Sequence, residues 1–599
     1  METKKTKSFL RGAAVRAFYD MNKHPDGYRF VRLQESLERT DDMPIIGLST
    51  GWFPATVAEE FNGEGEVLVR FHGSFEDPYS ATSPEQGPVK NLHWRVDPNL
   101  VSERTSKATS IELSLVVVRW KEYFTRHYTS RSHNVLNEDL IKDVLEGPGS
   151  VKEALGSKGK YEVFTIFASK SKHLDLLDSS KTKQIISSLR GSRKAALYFL
   201  WPTQKPALER EGRVAAGSLQ GLMQRMEDEG VKTSWPHPWK LYEDLLSKSW
   251  AFRESKMPTG IDLRIPPTTA VSREELSLDA EAAASTAIRK LQELRKQRGG
   301  TPASKEDYRG VAKLGFAWMG EEVLPFTGEA ALTKALKKLL DGSIPEAHCL
   351  VQERVEDVCC EMRAYCCQDA ERGTYAIKLL NMRMRPPKHQ HQAWDASFAM
   401  ADHRTMTSDE LAQQCFAGDR KIVENIEAEV KRLAYLWLEW LRNYSPPSVV
   451  RIDFMISQRK DLTGSSGAFQ VHTCELTECG GATCGLQVTP RTVAVLNDAM
   501  GEAEGFPKPL PPFQETNERN EQRNRNDRDR PKRAEASAEG VRDVQLPVQG
   551  RSFGVLGAFL LAFFCLLWPR SKLGGFVALA GIGMWKARDK LRDSWTIRS

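Results

Sequence analysis

The sequence predicts a multidomain α+β protein with a small N-terminal β-barrel, a central body of alternating strands and helices, and a C-terminal transmembrane tail. Three observations carry this. Residues 8–97 contain short runs of apolar/polar alternation broken by glycine turns, as in a small barrel or meander. From Tyr161 onwards, strand-like runs alternate with amphipathic helical ones, which implies an α/β layer. After Gln549 come two apolar runs, SFGVLGAFLLAFFCLLW and LGGFVALAGIGMW, separated by PRSK and followed by the basic KARDKLRDSWTIRS. The expected divisions are 1–100 for the barrel, 101–160 for a helical connector, 161–512 for the α/β body, 513–550 for a disordered charged linker, and 551–599 for the anchor and its basic tail.

Composition narrows the class. The chain has 599 residues, 40% hydrophobic and 27% charged, enough for large cores in several domains. Its 85 basic and 79 acidic residues are interspersed, with a formal net charge of +6, so no strong field for nucleic acid follows and none is expected as a partner. The N-terminus METKKTKSFLRGAAVRAFYD lacks an apolar signal region. Ten cysteines, several adjacent (Cys359, Cys360, Cys366, Cys367), do not form a disulfide framework, which places the soluble body in reducing cytosol.

In the barrel, LRGAAVRAFY, GWFPATVAEEF, VLVRFHG and VKNLHWRVD read as strands, with NGEG as a turn. The pattern WxxATV, turn, VxVRFxG, here Trp52 to Val57 and Val67 to Gly73, resembles the Tudor, agenet and other SH3-like barrels. That resemblance implies a peptide or methylated-residue ligand, with Trp52, Phe71, Tyr79 and Trp94 as candidates for an aromatic cage. Core packing is the competing role for the same aromatics. Met21 to Thr50 is a long insertion relative to the pattern.

In the body, YEVFTIFAS and KAALYFLWP read as strands; LDSSKTKQIISSLRG and AAGSLQGLMQRMEDEG read as helices, the second ending at Gly230. A helix bearing Lys248 precedes a strand with Thr268 and Thr269. A strand ending at Lys313, followed by a Gly315 to Gly320 loop, has the parts of a phosphate clamp: a cation and backbone N–H groups in a flexible turn. HCLVQERVEDVCCEMRAYCC is an apolar strand interrupted at Gln352 and Glu353, then a second strand with Glu361 and Arg363, whose polar groups need a task or a solvent face.

The strand VVRIDFMI puts Arg451 and Asp453 on one face, and FQVHTCELTECGG brings Glu475 and Glu478. Carboxylates beside nucleotide phosphates are how Mg²⁺ is usually held, and a nearby arginine steadies phosphate charge. Acids facing water are the alternative for such a strand pair. His472, Cys474, Cys479 and Cys484 also suggest zinc, but without paired CxxC spacing; strict alternation would place His472 and Cys474 opposite Thr473 and Glu475. His389 and His391 read as part of a polar loop.

Taken in order, a Lys before IPPTT, a strand Lys with a small-residue loop, VQERV followed by ExR, RxDF, and a closing Glu-rich strand resemble the ATP-grasp family of carboxylate-amine ligases over Tyr161 to Pro512. The resemblance implies an ATP-grasp fold with a pre-grasp α/β lobe, and ATP and Mg²⁺ as cofactors. It implies Lys248 and Lys313 on phosphates, a hinge of Gln352, Glu353, Arg354 and Val355 reading adenine and ribose, and Arg451 stabilising the charge that develops in catalysis. Asp453 and Glu475 would hold the metal. The implied reaction activates an unidentified carboxylate as an acyl phosphate for attack by an amine or thiol. The family's closing Glu-x-Asn is here Glu475-Leu476-Thr477, so either Glu478 supplies the second metal position or the site is weakened. The alternative is an inactive, nucleotide-binding membrane adaptor with a Tudor-like module.

The polar segment 513–550 is expected to tether this body to the tail. Each apolar run is shorter than an ordinary span, so the tail is read either as two short spans or as one span beside an interfacial segment. A buried pair of core helices is the competing reading. The expected location is a membrane, with the catalytic body in the cytosol.

Overall fold

The computed structural model describes residues 10–120 and 160–477 with internal gaps, the longer ones at 21–29, 33–43, 77–88, 384–403 and 459–468, together with Val495, Asp498 and Ala499. The linker and tail, and Tyr79, His389, His391, Glu478, Cys479 and Cys484, lie outside the described residues. Among the described residues no helix is long and apolar enough to cross a membrane.

The α/β layer is built on strands without alternation. Leu113–Trp120 and Tyr161–Ala168 are buried along their whole length and pair in parallel; Arg193–Phe199 flanks the first, and Lys232–Trp235 extends that edge. A continuous apolar run such as LSLVVVRW suits a strand covered on both faces. Helices Ser179–Ser188 and Ala216–Asp228 cover one face, where Ile185, Ile186, Leu219 and Met223 meet Val116, Val118, Phe164 and Tyr198. Gly230, at φ 82°, follows the second helix as expected. The 101–160 segment is expected as a helical connector; its described residues carry two strands, Val101–Glu103 and Leu113–Trp120, the second of them central to this layer, and 121–159 lie outside the described residues.

One strand joins the N-terminal region to the layer. Ile45–Val57 pairs antiparallel with Tyr161–Ala168 through its first half and with Ala14–Asp20 and Val67–Phe71 through its second. The N-terminal antiparallel strands therefore belong to the same 12-stranded sheet. Ile45 to Thr50, read as part of an insertion, lie within this strand. Val15, Ala17, Phe53, Ala55, Val67 and Val69 form the core here. Phe71 is in that core at 0% exposure, edge-on to Phe53 at 6.2 Å, so it does not line a cage. Trp94 packs partly buried against the same core.

Two further sheets follow. The first is antiparallel, in the order Thr268–Ser272, His348–Glu353, Arg309–Leu314, Val323–Thr327, and its core is shared with helices Ala280–Gln297 and Gly328–Leu340. The second runs Arg404–Met406, Thr374–Arg383, Val358–Asp369, Val449–Gln458, Phe469–Thr477. Its apolar face packs on helix Arg420–Trp440. That helix buries Val423, Ile426, Val430, Leu433 and Trp437, one stripe at helical spacing, and Asp419 caps it by accepting from the backbone N–H groups of Lys421 and Ile422. The chain passes between these two sheets at residues 354–357, where Asp357 takes a φ of 52°.

Candidate active site

Alternation sorts the five-stranded sheet into two faces. Cys360, Met362, Ala364, Val450, Ile452, Phe454 and Ile456 join the apolar core. The opposite face carries Glu361, Arg363, Arg451 and Asp453. Register then aligns them: Arg363 lies opposite Asp453, Asp453 opposite Glu475, and Arg451 opposite Thr477. Neighbouring strands thus bring Arg363 beside Asp453, 90 positions further along the chain.

The last strand reaches this arrangement through a β-bulge. Asp453 pairs with Glu475 but Phe454 pairs with Thr473, leaving Cys474 without a partner position. Strict alternation would put Glu475 on the face of Thr473, whose hydroxyl is buried between Trp437 and the Leu263 carbonyl. The extra residue moves Glu475 to the face of Asp453 instead. The alternation expected for His472 to Glu475 is corrected accordingly. Cys474, at the bulge, feels the charges of Lys313, Glu361, Glu475 and Asp453, and burial pushes its thiol up to about 12.

The charged groups are closely engaged. Arg451 Nε and Nη2 donate to Asp453 Oδ1 and Oδ2 at 2.8 and 2.9 Å, and Nη2 also donates to Thr477 Oγ1 at 3.3 Å. Arg363 Nε donates to Glu361 Oε1 at 2.6 Å and lies 3.9 Å from Asp453 Oδ2. Arg363, Arg451 and Asp453 are each 6% exposed or less. Burial alone would lower both arginine pKa values, but the Asp453 charge outweighs it and holds them above their ordinary value. Burial and the same Asp453 charge raise the Glu361 carboxyl. Buried charge of this density is costly and is concentrated at functional sites.

The two lysines approach from other elements. Lys248, read as lying on a helix, is the residue that ends helix Trp239–Ser247, in a left-handed conformation with φ 58°. Its Nζ lies 3.7 Å from Glu475 Oε1. Lys313, on Arg309–Leu314, donates to Gln352 Oε1 at 3.0 Å, and Gln352 donates in turn to Thr268 Oγ1 at 2.9 Å. Lys248, Arg363 and Arg451 therefore gather around Glu361, Asp453 and Glu475, and Lys313 stands near enough to act with those carboxylates on Cys474 where the two later sheets meet.

The other predicted residues sit elsewhere. The Glu353 carboxylate accepts from Tyr308 at 2.7 Å and lies 3.4 Å from Arg295. Arg354 lies against Glu356 at 3.2 Å, and Val355 is half-buried in the inter-sheet connection. These residues occupy the hinge position without joining the charged cluster. His472 faces Ser457 Oγ at 3.1 Å, its pKa lowered to about 4 by burial and by Arg264 and Arg298. No group of three potential metal-binding side chains occurs among the described residues. In the sequence Glu361 and Arg363 stand out as polar residues in an apolar run and as the ExR after VQERV, and Cys474 stands among the zinc candidates; His348 gives no such signal.

Asp453 and Glu475, opposite each other on adjacent strands, fit a magnesium ion that takes its remaining ligands from phosphate and water. Two carboxylates do not make an all-protein cage. The Thr477 hydroxyl already accepts from Arg451, so it is a poor further ligand.

No protein-family model matches the chain, and no curated protein matches it. Among solved structures, D-cycloserine synthetase aligns at 15% identity over 65% of this chain and 99% of its own, with a TM-score of 0.34. D-alanyl-alanine synthetase A from Vibrio cholerae aligns at 12% identity over 66% and 99%, with a TM-score of 0.35. N5-carboxyaminoimidazole synthetase from Staphylococcus aureus, complexed with ADP, aligns at 10% identity over 66% and 80%, with a TM-score of 0.33. Overlap this loose decides nothing about chemistry, which rests on the charged cluster.

Proposed function

We propose that this protein is an ATP-dependent ligase of the ATP-grasp type, which activates a carboxylate as an acyl phosphate for attack by an amine or thiol. One observation carries the reading: Lys248, Lys313, Arg363 and Arg451 converge with Asp453 and Glu475 at one junction of two sheets. In this reading Lys248 and Lys313 bind phosphate oxygens, and residues 352–355 border the base and ribose. Asp453 and Glu475 hold magnesium, which when bound screens phosphate charge and draws electrons from the transferred phosphorus. Arg451, fixed by both Asp453 oxygens, would lend its positive charge to the oxygens that gain charge as the carboxylate oxygen bonds to phosphorus and ADP departs. Attack by the amine or thiol then breaks the acyl C–O bond, and phosphate leaves.

A hydroxylamine trap tests this. Incubated with Mg-ATP and a panel of carboxylates, the full chain is expected to give a hydroxamate with one of them, along with ADP. The Asp453→Ala, Glu475→Ala double variant should give none, and hydroxamate formation unchanged by those substitutions would sink the assignment.

A second reading, a non-catalytic nucleotide-binding adaptor, draws support from Thr477, whose hydroxyl is committed to Arg451. It predicts nucleotide binding without ADP release. In either reading the apolar runs after Gln549 tether the protein to a membrane, and the N-terminal strands bind a peptide or modified side chain.

A further inference from the structure

The turn that presents Lys248 is stitched to the segment following Lys313, and His348 lies at the stitch. Phe316 N–H donates to Leu246 O at 2.7 Å, and Gly315 N–H donates to the carbonyl of His348 at 3.2 Å. The His348 ring closes the loop, with Nε2 at 3.1 Å from Ser247 O. Gly315 permits the approach: a Cβ there would lie 3.1 Å from that same Ser247 oxygen. Helix Ser249–Ser255 contributes Phe252, edge-on to the ring at 6.2 Å. His348 therefore ties the first lysine's turn to the second lysine's loop through both its side chain and its backbone.

The ring faces more acceptors than it can serve when neutral. The carbonyls of Ser247 and Glu346 both face it as acceptors, and a neutral imidazole carries only one N–H to give. Only the imidazolium can donate to both. Burial, and then the positive charge of Lys248, hold the proton off and keep the ring below its ordinary value. An anion bound at Lys248 would cancel that repulsion.

We propose that His348 is the positioning residue for Lys248 and couples occupancy of the phosphate-binding cleft to uptake of a proton. This rests on the proposed function only in taking the cleft as a polyphosphate site, of which a nucleotide is one source. Arg451, Asp453 and Glu475 would stabilise reacting charge; His348 sets where the cation waits and makes nucleotide affinity depend on pH near neutrality.

Calorimetry of the full chain with Mg-ADP tests it, run at pH 6.5 in two buffers of different ionisation heat, with His348→Gln and His348→Leu for comparison. The wild type is expected to take up a fraction of a proton more than His348→Gln, which removes the nucleotide's own protonation from the comparison. The wild type should also gain more affinity than His348→Gln between pH 8 and pH 6. The Gln amide can still donate to Ser247 O, so its affinity at pH 8 should stay within about threefold; the Leu variant should lose about tenfold, one hydrogen bond's worth. Equal proton uptake and parallel pH profiles in wild type and His348→Gln overturn the proposal, and that comparison stands even if the Leu variant does not fold. If Mg-ADP does not bind, inorganic triphosphate is titrated instead. His348-dependent proton uptake with triphosphate alone ends the nucleotide reading and keeps the proposal; its absence with both probes ends both.

Discussion

Removing the Asp453 carboxylate should damage folding and nucleotide binding together, whereas removing Lys248 should damage only binding. Asp453 holds two guanidinium groups: Arg451 through bonds of 2.8 and 2.9 Å and Arg363 at 3.9 Å. With both arginines at 6% exposure or less, Asp453→Ala removes the one carboxylate that both buried cations share at close range. Breaking such a pair costs about 3–5 kcal/mol, a large part of the roughly 5–15 kcal/mol by which a domain is stable. Lys248 differs: its side chain is 13% exposed, but it meets Glu475, 38% exposed and open to solvent screening, at the longer distance of 3.7 Å. A pair of that kind contributes about 0–1 kcal/mol, so Lys248→Ala should leave the urea midpoint almost unmoved. The assay is urea unfolding of each full-length variant with and without excess Mg-ATP, which should stabilise the wild type by about 2.7 kcal/mol at a hundredfold excess over Kd. Both variants should lose most of that ligand stabilisation, but Asp453→Ala alone should start from a lower midpoint. Equal midpoints without ligand, or full Mg-ATP stabilisation of Asp453→Ala, would falsify the picture of Asp453 as the common partner of both arginines.

Other predictions follow from separate observations. His237 is 1% exposed, neither ring nitrogen has a hydrogen-bond partner among the described residues, and burial lowers its pKa to about 3. Because the unfolded chain binds this proton below pH 6.5 and the folded chain does not, stability should fall as pH drops from about 6.5 toward 3. The loss is about 2 kcal/mol by pH 5, and His237→Phe should flatten the slope of urea midpoint against pH. Gly310→Ala would place a Cβ 2.3 Å from Phe326 and 2.6 Å from the Gln352 carbonyl. It should cost about 1–3 kcal/mol and weaken Mg-ATP stabilisation by displacing Gln352 from Lys313; a variant with wild-type midpoint and affinity would contradict the packing. Deleting residues 553–585 should move the protein from the membrane pellet to the supernatant on fractionation, and an unchanged distribution would end the tether reading.

How much of this was readable in advance depended on whether the signal was local. Arg451 and Asp453 two apart on an apolar strand could be placed on one face, and the helix read before Gly230 formed as expected. Leu113–Trp120 was harder because a strand buried on both faces has no alternation to detect. The side of the sheet taken by Glu475 was beyond any periodic rule: it depends on the unpaired Cys474, and a bulge shows only in the register of the neighbouring strand. Glu361 and Arg363 stood out as polar residues in an apolar run, yet their partner Asp453 lies about ninety positions away. Phe71 stayed open between cage and core for a related reason, since a core aromatic and a ligand-binding aromatic look alike until burial is known.

The balance of charge gives the cluster its direction. Four cations face three carboxylates, and Glu361 is held toward its protonated form by burial and by Asp453. The site is therefore positive on balance without a ligand, and a polyphosphate is the complement that relieves it. A divalent cation arriving alone would add to the excess and would have to share Asp453 with Arg451, which already donates to both of its oxygens. Arriving on a polyphosphate, the same cation brings its own counter-charge and needs only what Asp453 and Glu475 have left to give. Metal affinity should consequently be conditional on nucleotide, and the Thr477 hydroxyl, already accepting from Arg451, does little to change that. The physical question separating ligase from adaptor is thus whether two carboxylates suffice to hold the metal through phosphoryl transfer, once the nucleotide has supplied the rest.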